Sequence, residues 1–214
     1  MPAFFMIERV CPKSPGSVAT KPLQAKACFA GLAFSAFSPE FAGTFLVVGP
    51  SHRGFLTCAS AIPWETPVGI VDVDAAFVQE IGIEVDELSH QGEHSLEVQM
   101  PFIKYRFPRA RIAPVMMGAQ DHAAARGLAS RILKAIQSTG RSVRLVASSD
   151  FSHNVPPEVA EEDDLAVIAP LLQMDVDGFY RKLTETGASV CGYGPIATVF
   201  HVCLGLGSTT ARLL

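Results

Sequence analysis

The 214-residue sequence contains no Cys-x-x-Cys pair. Its five cysteines, Cys11, Cys28, Cys58, Cys191 and Cys203, are odd in number and far apart. That pattern speaks against a zinc knuckle or a thioredoxin-type motif and reads mostly as buried thiols. Charge is sparse at 18% and slightly acidic, with a formal net charge of −4 and no block of Lys or Arg. Nucleic acid is therefore not an expected partner. No apolar run reaches the roughly 18 residues of a spanning helix, so no membrane association is expected. Residues 1–15 lack the layout of a signal peptide, and a cytoplasmic protein is the expectation. There is no internal repeat and no low-complexity tract.

What is present is a chain 49% hydrophobic, enough for a sizeable core in one domain spanning 1–214. Within it, residues 1–27 are atypical and broken by Pro12, Pro15, Gly16 and Pro22, and the C-terminal end reads as cut short. Residues 24–38 are small and apolar and suit a buried helix. Thr44 to Val48 reads as a buried strand, and 55–62 as a weakly alternating one. Residues 64–67 read as a turn and Val68 to Val71 as extended. Asp72 or Asp74 is placed to cap a helix running to about Ile81. Glu93 to Phe107 reads as helical, with Leu96, Met100 and Ile103 on one face and Pro101 kinking it or starting a new helix. Strands at 111–117 and 143–148 flank a helix opened by Asp121, running to about Gln137 and followed by Gly140. Helices over 157–173 and 175–186 and an apolar segment from Ile196 to Leu206 complete the pattern. Strand and helix alternate, which predicts a three-layer α/β/α sandwich with a largely parallel or mixed central sheet.

Two strand ends deliver imidazoles. The strand ending at Val48 runs into Gly49-Pro50-Ser51-His52. The one ending near Ser148 runs into Ser149-Asp150-Phe151-Ser152-His153. Ligands of parallel sheets bind beyond the carboxyl ends of the strands. His52 reads either as a turn histidine bonded to backbone or as a metal ligand or acid–base group. Asp150, three residues before His153, can orient its imidazole, or the segment is a capping turn before Pro156-Pro157. His90, Glu93, His94 and Glu97 form the densest run of metal-capable side chains, and it is not an HExxH motif. Here Glu93 and Glu97 also read as charge compensation at a helix N-terminus, and a helix starting near Glu93 leaves His90 in the preceding loop. Cys191, flanked by Gly192 and Gly194, reads as a soft metal ligand, a nucleophile or a buried small residue. His122 and His201 look bland.

Taken together, Gly49-Pro50-Ser51-His52, Glu93-His94-Ser95-Leu96-Glu97, Ser148-Ser149-Asp150-Phe151-Ser152-His153 and Cys191-Gly192 with Gly194-Pro195-Ile196 resemble the Memo family. That family is related in fold to the LigB-type class III extradiol dioxygenases. The match runs from about residue 28 to 206. The resemblance implies a LigB-like fold with a strand-end cleft, with His52 and Cys191 as metal ligands and with Asp150, His153 and His94 lining the same pocket in catalytic roles. It implies iron or copper as cofactor, zinc being less favoured. A cysteine stands where the dioxygenase relatives carry a carboxylate, which counts against ring cleavage by iron(II). The family's early Pro-His-Ala-Gly motif is missing, there is no histidine before His52, and Gln99 stands where the family often has a histidine.

Three functions follow as expectations. The first is a metal protein of oxidoreductase type. The second is a non-enzymatic protein that takes a peptide or small ligand in the same cleft. The third is a metal-free hydrolase with Cys191 as nucleophile, His52 or His153 as base and Asp150 as orienter. The expected partner is a small molecule or peptide, and a homodimer stays open.

Overall fold

The computed structural model describes residues 30–54 and 56–214. In chain order its elements are a helical stretch at 30–35 (α1), β1 (Thr44–Pro50), β2 (Cys58–Ala59), β3 (Trp64–Thr66), β4 (Gly69–Val71) and α2 (Ala75–Ile81). Then come α3 (Glu87–His90), α4 (His94–Glu97), α5 (Met100–Arg106), β5 (Arg111–Met117) and α6 (His122–Thr139). The chain closes with β6 (Val143–Ala147), α7 (Pro157–Leu172), α8 (Val176–Thr186) and α9 (Tyr193–Gly205).

Every residue of β1 is buried. A strand covered on both faces needs apolar side chains on both, and Phe45 to Val48 supplies them. Side chains alternate across a strand, so Phe45 and Val47 enter one core while Leu46 and Val48 enter the other. β5 and β6 pair with β1 in parallel, and β2 pairs with β5 in antiparallel fashion. The order is β2-β5-β1-β6, a mixed central sheet. On one face, α1, α4 and α5 bring Phe34, Leu96, Met100 and Ile103 against Phe45 and Val47. On the other, α2 and α6 to α9 bring Phe77, Ile132, Ile168, Phe179 and Phe200. The result is the α/β/α sandwich expected from the alternation of elements.

Local signals place the helix ends. Asp74 accepts a hydrogen bond from the Phe77 N–H and Asp121 from those of Ala123 and Ala124. Asp175 does the same for Gly178. Each satisfies a donor that the first helical turn leaves unpaired. Asp74, rather than Asp72, is the cap of α2. It also takes the Thr44 hydroxyl at 2.7 Å and Arg141 at 2.8 Å, which ties that cap to the start of β1.

Several expectations need correction. The strand at 55–62 is reduced to Cys58–Ala59, the pair in register with β5. Residues 64–67 are not a turn. Trp64–Thr66 and Gly69–Val71 form a small antiparallel hairpin whose turn is at 67–68. Of the two outcomes expected at Pro101, the structure takes the new helix: α4 ends at Glu97 and Pro101 lies in the first turn of α5. His90 lies in a short helix, α3, and not in a loop. The last helix starts three residues earlier than Ile196, at Tyr193. The part of the expected 24–38 helix before residue 30, together with Cys11 and Cys28, lies outside the described residues.

Parallel pairing sets the strand ends side by side. Pro50 is opposite Met117, and Val48 is opposite Ala147. The segments carrying His52, Gln120 and Asp150 leave the sheet from this one edge.

Candidate functional site

The site is assembled around Gly49. A Cβ there would sit 2.9 Å from both Ser95 Oγ and Leu96 Cδ2. Glycine therefore lets α4 lie directly on the end of β1. Leu96 fills the core beneath, and the Ser95 hydroxyl donates to the Pro50 carbonyl at 2.8 Å. This docking brings Glu93, the N-cap of α4, beneath His52.

Glu93 is the centre of the group. Its side chain is only 1% exposed. Oε2 accepts the His52 backbone N–H at 2.7 Å, and Oε1 faces the His52 ring Nδ1 at 2.9 Å. Oε1 also accepts the Ser95 N–H at 3.0 Å and lies 3.5 Å from His94 Nδ1. The two imidazoles stack, with centroids 4.6 Å apart and planes at 18°. Burial by itself raises a carboxyl pKa. Here the hydrogen bonds from the His52 ring, the Ser95 N–H and the His52 N–H outweigh it and hold the Glu93 carboxyl at about 2. A carboxylate on Nδ1 keeps the proton there and leaves the Nε2 lone pair of His52 for a ligand. His52, Glu93 and His94 each place one donor atom within 4.8 Å of the others.

Cys191 stands outside that compact group and belongs to a second one. Its sulfur accepts the Asp150 N–H at 3.1 Å, and its own N–H donates to the Asp150 carbonyl at 3.0 Å. Gly192 makes this possible, because a Cβ there would lie 2.4 Å from the Ser148 carbonyl oxygen. The Gly192 N–H donates to Ser149 Oγ at 2.9 Å. Gln120 holds the segment from the β5 end, donating to the Cys191 carbonyl at 2.9 Å. His153 is fixed by Ser189, whose hydroxyl accepts its N–H at 2.9 Å. The His153 Nδ1 faces the Phe151 carbonyl oxygen, so a backbone acceptor occupies this nitrogen. Gln99, buried between the two groups, donates to Ser148 Oγ at 3.1 Å, and its Oε1 has no partner.

The structure thus brings His52 together with His94, and Asp150 together with Cys191, at adjacent strand ends. Sequence reading missed the role of Glu93, which caps α4 and grips a residue 41 positions earlier. The sequence had marked Glu93 as a metal-capable residue or as charge compensation at a helix start, and the structure makes it the cap of α4 and the partner of His52. Glu97 is exposed. His90 sits apart, 3.8 Å from Cys58 Sγ and edge-on to Trp64. Burial pushes its imidazole below the usual value.

A family model described as Memo-like protein matches residues 25–214. A MEMO1 family protein of Methanosarcina barkeri is 39% identical over 179 residues, covering 81% of this chain and 68% of that protein. One from Methanosarcina acetivorans is 42% identical over 183 residues, covering 82% and 68%. One from Methanothermobacter thermautotrophicus is 39% identical over 180 residues, covering 80% and 65%. With a family model matching residues 25–214 and relatives about 40% identical over most of both chains, the chain belongs to the Memo-like protein family.

Proposed function

We propose that the strand-end cleft holds a redox-active transition ion, iron or copper, and that the protein is an oxidoreductase-type metal protein acting on a small molecule or peptide. One observation carries this reading. A buried, ionised Glu93 holds His52 by its ring and its backbone at once. Imidazole ligands are commonly held in this way, with a carboxylate on one nitrogen and the metal on the other.

The donor set suits such an ion. His52 offers a lone pair whose direction Glu93 fixes. His94, with 67% of its side chain exposed, offers a second imidazole on the solvent side. Cys191 offers a soft sulfur from the adjoining loop, a donor that favours copper(I) over hard ions. A bound iron or copper ion would supply one-electron chemistry. The chain's own part is to pack the buried Leu96 under the end of β1 beside Gly49, and to keep the His52 proton at Nδ1.

Metal content after anaerobic loading with iron(II), copper(I) and zinc tests the reading, on wild type, His52→Ala and Cys191→Ala. The expected result is close to one equivalent of iron or copper that is lost in His52→Ala. Equal iron and copper content in wild type and His52→Ala would overturn it. The cleft would then stand as a non-enzymatic binding site for a small ligand or peptide.

A further inference from the structure

Cys191 is held from two strand ends at once. Asp150 follows β6 and Gln120 follows β5, and these two strands flank β1 in the sheet. A segment bonded to both therefore crosses the carboxyl end of β1, the end from which His52 leaves. On the β6 side, the Asp150 backbone pairs with the Cys191 N–H and sulfur, and Ser149 Oγ accepts the Gly192 N–H. On the β5 side, the hold is the side-chain amide of Gln120. Its Nε2 donates to the Cys191 carbonyl at 2.9 Å, and its Oε1 accepts the Gly194 N–H at 2.9 Å.

Both bonds have a cause in the sequence. α9 opens at Tyr193 behind Gly192, and a glycine N-cap has no side chain with which to take the donors of the first turn. Gln120 takes one of them from outside the helix. Gly194 allows the approach, since a Cβ there would meet the Gln120 Cα at 2.8 Å. The Cys191 carbonyl needs a donor and the Gly194 N–H needs an acceptor. A carboxylate can only accept, and a lysine or arginine can only donate. An amide carries one of each on a single plane and serves both ends of the turn.

The clamp is itself braced. Tyr180 of α8 donates its hydroxyl to the Gln120 carbonyl at 2.9 Å. Its ring packs edge-on against that of Tyr193, with centroids 6.1 Å apart. The end of β5, the middle of α8 and the start of α9 thus meet at Gln120.

We propose that Gln120 is a positioning residue for Cys191, holding the thiol's segment across the end of β1 and so deciding whether the sulfur can act in the cleft. The proposal rests on the reading of the cleft above for what the thiol does there, and on the hydrogen bonds alone for how it is held. Without the Gln120 amide, the Asp150 and Ser149 contacts remain, and the segment turns about them away from its place.

The test compares wild type with Gln120→Glu and Gln120→Ala, on the full chain in chelator. Gln120→Glu keeps the size and an acceptor for the Gly194 N–H, but it turns an oxygen towards the Cys191 carbonyl. Hydrogen exchange in Gln120→Glu should therefore show the Gly194 amide still protected and the Cys191 amide about tenfold or more less protected. In Gln120→Ala both amides should lose protection. Iodoacetamide should modify Cys191 about threefold or more faster in both variants, with Cys58 and Cys203 still unmodified. Prior loading with copper(I) should slow this reaction in wild type and not in Gln120→Glu. Circular dichroism checks folding; if Gln120→Ala does not fold, Gln120→Glu carries the test. A folded Gln120→Glu with wild-type protection and a wild-type thiol rate at Cys191 would overturn the proposal. Loss of protection at Gly194 together with Cys191 in Gln120→Glu would overturn it too, since Gln120 would then serve only the start of α9. If copper(I) leaves the wild-type thiol rate unchanged, the cleft reading fails for Cys191, while the amide results still decide the clamp.

Discussion

Glu93 grips His52 twice, with Oε1 on the ring Nδ1 at 2.9 Å and Oε2 on the backbone N–H at 2.7 Å. Replacing the carboxylate by an amide keeps the size but removes the charge and one acceptor. Glu93→Gln should therefore lower iron or copper affinity of the cleft by tenfold or more, the scale at which outer-shell partners of ligating histidines act. The metal-free protein should lose roughly 2 kcal/mol, as hydrogen bonds to a charged group are lost in a buried place. Metal titration and urea unfolding in chelator measure the two effects separately.

The same carboxylate makes stability depend on pH. Its folded pKa, about 2, lies below the ordinary 4.5. A group with a depressed folded value binds fewer protons folded than unfolded. Its contribution is complete above about 4.5 and declines as pH falls towards about 2. In chelator, the stability difference between wild type and Glu93→Gln should shrink by on the order of 2 kcal/mol between about pH 6 and pH 2.5. A difference that stays constant over that range would show that Glu93 is not held ionised by His52.

How much of this was legible follows from distance along the chain. β1, β5 and β6 could be read because runs such as Phe45 to Val48 are apolar on both faces. The helix starts at Asp121 and Asp175 could be read because a cap acts within three residues. The break between α4 and α5 was signalled by Pro101, which suits a first helical turn, even though Leu96, Met100 and Ile103 keep one apolar face across it. β2 was overdrawn because its pairing depends on where β5 ends and not on its own residues. At the site, the strand-end position of His52 was visible, but its partner Glu93 lies 41 residues away. Contacts of that separation leave no local pattern.

Gly192 sets the position of Cys191. An added methyl would meet the Ser148 carbonyl oxygen at 2.4 Å and Ser149 Cβ at 2.6 Å. Backbone cannot yield as a side-chain tip does, so the segment must move. Gly192→Ala should destabilise the fold by about 1–3 kcal/mol. It should also break the paired hydrogen bonds between Cys191 and Asp150, which hydrogen exchange at the two amides would report as lost protection. Unchanged protection at both amides would mean that the loop absorbs the methyl elsewhere.

Cys191 should be the first of the three described cysteines to react with iodoacetamide. The thiolate is the reacting form, and both access and ionisation control it. Cys58 and Cys203 are each 2% exposed. Burial, joined by the nearby acids Asp86 and Glu84, pushes the Cys58 thiol up to about 11, and burial pushes that of Cys203 up to about 12. Cys191 is half-buried, on the loop before α9. Peptide mapping of the folded protein at about pH 7.5 should show Cys191 modified while Cys58 and Cys203 stay free until unfolding. Prior loading with copper(I) should slow its modification if the sulfur serves the cleft's ion, and His52→Ala should remove that protection. Protection that persists in His52→Ala would mean that the thiol binds copper by itself, apart from the histidine.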